Sequence, residues 1–72
     1  MEPAALGNRL KVARAERGLS QGQLAQLAGV TRQTISSIET GQYGPSALLA
    51  FVLAKHLVKR VDELFFLTGE RP

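Results

Sequence analysis

Residues 19–41, LSQGQLAQLAGVTRQTISSIETG, contain two short helical patterns that are separated by a three-residue turn. Ser20 is followed three residues later by Gln23, which is the capping-box pattern of a helix start, and Gly29 follows the last turn of that helix. These signals predict a helix from Gln21 to Ala28. Its expected buried face comprises Leu24, Ala25 and Ala28.

The predicted turn consists of Gly29, Val30 and Thr31, after which a second helix is predicted to end at about Thr40. Gly29 can adopt a positive φ, and Thr31 can cap the second helix. A turn this short makes the two helices cross steeply. This is the arrangement of a helix-turn-helix, whose second helix is free to enter the major groove of DNA.

The second helix has an unusual solvent face. Ile35 and Ile38 form its only aliphatic stripe, and the outward side chains are Arg32, Gln33, Thr34, Ser36, Ser37 and Thr40. A helix exposed only for solubility usually carries Glu and Lys, because Ser and Thr are poorer helix formers. Arg, Gln, Ser and Thr can bond to base edges and phosphates. The face therefore favours DNA binding, with an ordinary solvated surface as the alternative.

The size and composition limit the other possibilities. Seventy-two residues allow one domain, with an expected core at about residues 5–67 and a loose tail at 68–72. The sequence has no Cys and a single His, His56, so disulfides, thiolate metal sites and a histidine metal cluster are not expected. A net charge of +3 permits a polyanionic partner without requiring one.

The remaining helices are predicted from periodicity and end signals. Helix 1 is expected from about Ala4 or Ala5 to Arg17, with an inward stripe of Leu6, Leu10 and Ala13 and a stop at Gly18. Ser46 caps a largely apolar helix 4 that ends at Leu57 or Val58. Helix 5 is expected from about Val61 to Leu67 and begins with the acidic residues Asp62 and Glu63. The predicted fold is all-α, a compact five-helix domain.

The segments RLKVAR, GLSQGQLAQLAGVTRQTISSIETG, YGPS and VDELF, within about residues 9–65, resemble the Xre and Cro-like helix-turn-helix family in order and spacing. That family includes phage repressors and small bacterial regulators. The resemblance implies a lambda-repressor-like domain that binds operator DNA, commonly as a symmetric dimer, and controls transcription.

The resemblance also implies roles for individual residues. The implied base-reading residues are Arg32, Gln33, Thr34 and Ser37. The implied backbone contacts are Gln21, Thr31, Ser36, Thr40, Gln42 and Tyr43, and the recognition helix could brace Gln21. Arg32 can bond bidentately to guanine and Gln33 to adenine, although Arg32 could hold a phosphate instead.

One implied contact is structural. Glu39 lies close to the buried stripe of the second helix, and an isolated buried carboxylate is costly. In the family, an arginine at the position of Arg14 forms the compensating ion pair. Arg17 is the competing partner.

The sequence departs from the family pattern between helices 4 and 5. The usual glycine, hydrophobe and capping residue are replaced by Val58, Lys59 and Arg60, so this corner is expected to be strained or re-routed. Extra apolar residues occur at Leu48, Val52, Phe66 and Leu67. These residues could pack against the C-terminal segment of the chain, against a second copy in a homodimer, or against another protein.

The leading hypothesis is a sequence-specific transcriptional regulator, a repressor that binds an inverted-repeat operator as a homodimer. The alternative is an antitoxin-type interaction module that binds a partner protein as well as DNA. An enzyme is not expected, because the acidic residues are scattered and no nucleophile–base set is found. No cofactor, signal peptide or membrane span is expected, and the predicted location is the bacterial cytoplasm, at the nucleoid.

Overall fold

The protein is described from a computed structural model that covers residues 5–69. The described elements are β1 (Ala5–Asn8), α1 (Leu10–Glu16), α2 (Gln21–Ala28), α3 (Arg32–Glu39), α4 (Ala47–Leu57), α5 (Val61–Leu64) and β2 (Phe65–Thr68). The predicted bounds of α2 and α4 agree with the structure, and α3 is flanked by Thr31 and Thr40 as its N-cap and C-cap.

The three central helices begin at side-chain caps. In each, a hydroxyl oxygen accepts a hydrogen bond from the backbone N–H three residues later, and the capping residues are Ser20, Thr31 and Ser46. Between α2 and α3, Gly29 adopts a φ of 74°, in the left-handed region that glycine tolerates best. The local chemistry of the sequence therefore fixes where α2 stops and α3 starts.

The core draws on all five helices. Its fully buried large side chains are Leu10, Leu24, Ile35, Ile38, Leu53, Leu57 and Leu64. Ile35 and Ile38 are the contribution of α3. Because these two side chains anchor one side of α3 in the core, the polar side chains of the helix are directed away from it.

The prediction of five helices is confirmed, but the prediction of an all-α domain is wrong. Residues 5–8 form β1, which pairs antiparallel with β2. Helix α1 therefore begins at Leu10 rather than at Ala5, and Leu6 is 43% exposed instead of lying in the core. The part of the prediction that includes Ala4 lies outside the described residues.

The sheet contains a close contact between two opposed residues. Gly7 lies opposite Phe66, and a Cβ atom added at Gly7 would lie 2.8 Å from Phe66 Cζ. The absence of a side chain at Gly7 thus lets the Phe66 ring cover the neighbouring strand. The guanidinium of Arg9 stacks on the ring of Phe66, and its Cζ atom lies 4.6 Å from the ring centroid.

The second strand also changes the expected C-terminal region. Helix α5 ends at Leu64, and Phe65 is already extended, so the predicted helix to Leu67 is wrong. Thr68, which was expected in a loose tail, lies in β2, and its hydroxyl donates to the Ala5 carbonyl oxygen at 3.3 Å. Residues 70–72 of that predicted tail lie outside the described residues.

The corner between α4 and α5 keeps its shape without the expected residues. Val58 takes the left-handed conformation, with a φ of 55°. For a β-branched residue this conformation costs about 1–2 kcal/mol. Arg60 supplies no capping oxygen, but its backbone N–H donates to Glu63 Oε1 at 2.7 Å. A salt bridge of 3.1 Å between Lys59 and Glu16 also links this corner to α1.

Candidate nucleic-acid interface

The outward face of α3 is polar and accessible. Arg32 and Gln33 are exposed, whereas Thr34, Ser36 and Ser37 are partly buried. Since Ile35 and Ile38 hold the opposite side of the helix in the core, this face has no apolar side chain. The structure thus places all four residues that were predicted to read bases on one short helix.

Several of these side chains are held in place by their neighbours. The hydroxyl oxygens of Thr31 and Thr34 lie 3.0 Å apart, and Gln33 Nε2 donates to Ser37 Oγ at 3.4 Å. The hydroxyl of Thr40 donates to the backbone carbonyl oxygen of Ser37 at 3.2 Å. These bonds are at the surface, so the same groups can exchange them for bonds to a ligand.

The loop after α3 is fixed to the end of that helix. The backbone N–H groups of Gln42 and Tyr43 both donate to the Ser37 carbonyl oxygen, at 2.9 and 3.2 Å. The side chains of Gln42 and Tyr43 are exposed. These two predicted backbone contacts therefore follow α3 closely, with their positions set by hydrogen bonds.

The start of α2 lies beside the outward polar face of α3. Gln21, Arg32, Gln33 and Ser36 together line a shallow depression between α2 and α3. Gln21 is the first residue of α2, where backbone N–H groups lack carbonyl partners within the helix. The depression therefore has hydrogen-bond donors from two helices, and an anionic oxygen suits such a surface.

Arg14 and Glu39 join α1 to α3. Arg14 Nε lies 2.8 Å from Glu39 Oε2, and Arg14 Nη2 donates to Glu39 Oε1 at 3.3 Å. The remaining nitrogen, Nη1, donates to the carbonyl oxygen of Leu19 at 2.9 Å. The partner of Glu39 is thus Arg14 rather than Arg17, and every nitrogen of the Arg14 guanidinium is used within the protein.

The ion pair has a third member, Gln21, whose bond to Glu39 in particular was not predicted from the sequence. Gln21 Nε2 donates to Glu39 Oε1 at 3.0 Å, so Glu39 accepts bonds from both α1 and α2. Burial alone would raise the pKa of Glu39. The hydrogen bonds from Arg14 and Gln21, with the charges of Arg14 and Lys11, outweigh burial and hold the pKa below its usual value.

Asn8 is a residue that sequence reasoning missed. Its Oδ1 accepts from the backbone N–H of Leu10 at 3.0 Å, and its Nδ2 donates to the Ile38 carbonyl oxygen at 2.9 Å. Asn8, the last residue of β1, therefore supplies a side-chain acceptor to the first backbone N–H of α1 and links this end of α1 to the end of α3. An Asn just before a periodic apolar run is a known helix-start signal, and it could have indicated this contact.

The apolar residues predicted as a dimer or partner surface fall into separate places. Leu48 is 75% exposed, and together with Val52 it lines a depression near Tyr43. Phe66 is half-buried against Gly7, whereas Leu67 is exposed on β2. The structure thus adds an intramolecular role for Phe66 and leaves Leu48 and Leu67 uncovered within residues 5–69.

Two features of the described residues bear on other functions. Within residues 5–69, no group of three or more His, Asp or Glu side chains is arranged to hold a metal ion. Over the same residues, no helix has the length and apolar character needed to cross a bilayer.

Two helices joined at Gly29, with the second exposing a polar face, define a helix-turn-helix domain. A family model described as helix-turn-helix matches residues 10–64. The chain is 43% identical over 63 residues to the uncharacterised HTH-type transcriptional regulator YgzD of Bacillus subtilis, with 88% of this chain and 96% of YgzD covered.

A further sequence relative and a solved structure are also similar to this chain. An uncharacterised HTH-type transcriptional regulator of Methanocaldococcus jannaschii is 47% identical over 58 residues, which cover 81% of this chain and 88% of that protein. The crystal structure of the restriction-modification controller protein C.AhdI from Aeromonas hydrophila matches with a TM-score of 0.72 and 36% identity, over 76% of this chain and 83% of C.AhdI. The chain belongs to the Xre/Cro-like helix-turn-helix family of DNA-binding transcriptional regulators.

Proposed function

We propose that this protein is a transcriptional repressor that binds an inverted-repeat operator as a homodimer, with α3 in the major groove. The observation that carries the proposal is the division of α3 into two faces. Ile35 and Ile38 are buried, whereas the opposite face offers only hydrogen-bonding side chains to a ligand. Such a face suits the donor and acceptor pattern of base edges.

The base contacts are assigned to Arg32, Gln33, Thr34 and Ser37. Arg32 can bond to guanine O6 and N7, and Gln33 can bond to adenine N6 and N7. Each such bidentate pair discriminates between bases by about 1–3 kcal/mol. The exposed hydrogen bond from Gln33 to Ser37, at 3.4 Å, can be exchanged for bonds to a base edge.

Backbone contacts would surround these base contacts on both sides. The assigned residues are Gln21, Thr31, Ser36, Thr40, Gln42 and Tyr43. The depression lined by Gln21 and Ser36 lies at the start of α2, and Gln42 and Tyr43 follow the other end of α3. Phosphate contacts on both sides would fix the register of α3 in the groove.

Dimerisation would supply the second half-site. Two recognition helices related by a two-fold axis contact successive major grooves when they are about 34 Å apart. The exposed residues Leu48 and Leu67 and the partly buried Val52 are apolar residues available for such pairing. Repression is favoured over activation because occupying an operator that overlaps a promoter requires no further contact with the polymerase. The protein would then work in the cytoplasm, on the chromosome.

The test is selection of binding sites from a random duplex library at near-physiological salt, where nonspecific phosphate binding is weakened. The proposal predicts an enriched inverted repeat with half-site centres about one helical turn apart. Light scattering should give the mass of a dimer on that duplex. Failure to enrich any sequence with folded protein would refute the proposal, and a single asymmetric site would refute the dimer.

A protein-interaction module of the antitoxin type is the second candidate. It is favoured by the exposed apolar side chains of α4 and its C-cap, since Leu48, Phe51 and Val58 are 75%, 65% and 69% exposed. Large apolar side chains exposed along one helix can mark a protein contact. Light scattering of the purified chain alone and with co-purified proteins separates the two candidates, because a stable homodimer supports the regulator and a stoichiometric second protein supports the module.

A further inference from the structure

We propose that Glu39 is a positioning residue for DNA binding, which holds the side-chain amide of Gln21 so that an N–H group is available to a phosphate oxygen. The inference deepens the proposed function and rests on it, because Gln21 lies at the edge of the same interface. Glu39 would make no contact with DNA itself.

The first step is the chemistry of the contact between the two side chains. Gln21 Nε2 lies 3.0 Å from Glu39 Oε1. An ionised carboxylate can only accept hydrogen bonds, so the amide nitrogen of Gln21, and not its oxygen, must face Glu39. The other hydrogen on that nitrogen is then the donor that remains for a ligand.

The second step is the location of that donor. Gln21 is half-buried and lines the depression that it shares with Arg32, Gln33 and Ser36. An amide free to rotate would present its oxygen as often as its nitrogen, and an oxygen repels a phosphate. The bond to Glu39 removes this ambiguity before DNA arrives, so less conformational entropy is lost on binding.

The third step is the charge of Glu39. A carboxylate near DNA would repel the phosphates, but the Glu39 side chain is only 6% exposed and Arg14 lies 2.8 Å from it. The pair is therefore close to neutral overall. Glu39 can hold Gln21 without presenting a negative charge to the DNA, and Arg14 is not needed as a phosphate contact because its nitrogens are already bonded.

The fourth step is the mechanical consequence. Arg14 belongs to α1, Gln21 to α2 and Glu39 to the last turn of α3. One carboxylate thus connects the helix that would read bases to the residue that would contact the backbone. The two kinds of contact are then held in a fixed register relative to each other.

The test is a double-mutant cycle with Glu39→Gln and Gln21→Ala, measured as affinity for the duplex that the wild-type protein selects. All affinities are measured at a temperature where circular dichroism shows every variant to be folded. Each single variant should bind roughly three- to tenfold more weakly, which is the range expected for one long side chain that must be ordered on binding. In the Gln21→Ala background, Glu39→Gln should cause almost no further loss.

Gln26→Ala is the matched control, because Gln26 is an exposed glutamine of α2 that lies away from the depression, and its affinity should equal that of the wild type. Glu39→Asp keeps the charge for Arg14 but shortens the side chain, so it replaces Glu39→Gln if that variant does not fold. Fully additive losses would overturn the inference and leave the proposed function intact. A folded wild-type protein that selects no duplex would overturn both.

Discussion

Replacing Arg14 by alanine should destabilise the protein by about 3 kcal/mol near neutral pH, the lower end of the cost of removing one partner of a buried ion pair. The lower end applies because the pair is not completely buried. The Arg14 side chain is 14% exposed and the Glu39 side chain is 6% exposed, so water can partly solvate the charge that remains. Arg14→Ala leaves Glu39 with Gln21 as its remaining hydrogen-bond donor and removes the donor to the Leu19 carbonyl oxygen.

This loss is large for a chain of 72 residues, whose total stability is expected to be about 4–11 kcal/mol. The melting temperature should fall by roughly 12–24 °C. Urea unfolding followed by circular dichroism measures the free-energy change directly. Arg17→Ala is the control, since Arg17 is an exposed arginine at the end of the same helix, and its stability should stay within about 0.5 kcal/mol of the wild type.

The effect of Arg14→Ala should also depend on pH. In the wild type, hydrogen bonds and nearby positive charges outweigh burial and hold the pKa of Glu39 below its usual value of 4.5. The stabilisation is therefore present above the unfolded-state pKa and is lost as pH falls through the lower folded-state pKa. Without Arg14, the burial of Glu39 opposes its ionisation. Protonation of Glu39 then removes a buried charge that lacks its ion-pair partner, so it makes the variant less unstable relative to the wild type.

The difference in stability between wild type and Arg14→Ala should consequently shrink as pH is lowered below 4.5. Unfolding measured at pH 7 and again at pH 4 or lower tests this. A variant as stable as the wild type, or a difference that does not change with pH, would refute the reasoning. A normal melting temperature with loss of DNA binding would instead make Arg14 a DNA contact.

Three further substitutions test other parts of the structure. Gln33→Ala should leave the melting temperature unchanged. In competition binding, it should relax the preference at one or two base pairs of each half-site by about 1–3 kcal/mol. Unchanged specificity would remove Gln33 from the base-reading set. Gly22→Ala should raise the free energy of unfolding by about 0.4–1 kcal/mol in urea, because Gly22 is helical and a Cβ there meets only Ser20 Oγ at 3.9 Å. A lower stability would contradict this. Gly7→Ala should lower stability by about 1–3 kcal/mol, since its Cβ would displace the ring of Phe66, and a neutral effect would show that the sheet adjusts freely.

The helices at the centre of the domain could be predicted because their limits are encoded locally. Ser20 and Thr31 cap α2 and α3 through backbone groups three residues away, and Gly29 supplies the left-handed turn between them. Such signals act over a few residues and do not depend on the rest of the fold. The polar face of α3 is equally local, because Ile35 and Ile38 alone determine which side is buried.

The two strands could not be predicted in the same way. Ala5 pairs with Thr68, 63 residues along the chain, and Leu6 fits a helical stripe with Leu10 as well as it fits a strand. Local periodicity does not distinguish these alternatives. Gly7 and Asn8 were the available signs, because glycine weakens a helix and asparagine favours the position before one.

The interface was likewise only partly accessible from the sequence. The pairing of Arg14 with Glu39 was expected from the resemblance, and the structure contains it. The resemblance implied that the recognition helix could brace Gln21, but Glu39 was not predicted as its partner, since that choice depends on how α2 packs against α3. The distribution of the apolar residues also required the fold, because Phe66 is half-buried against Gly7 only when β1 and β2 pair.

The most direct test of the central claim is an NMR titration of the isotopically labelled protein with the selected duplex. The claim is that α3 and the start of α2 form the DNA-binding surface. The largest amide shift changes should then occur at residues 21–23 and 31–37, with smaller changes through 40–43. Changes centred on the exposed face of α4, around Leu48 and Phe51, with α3 unaffected, would contradict the claim.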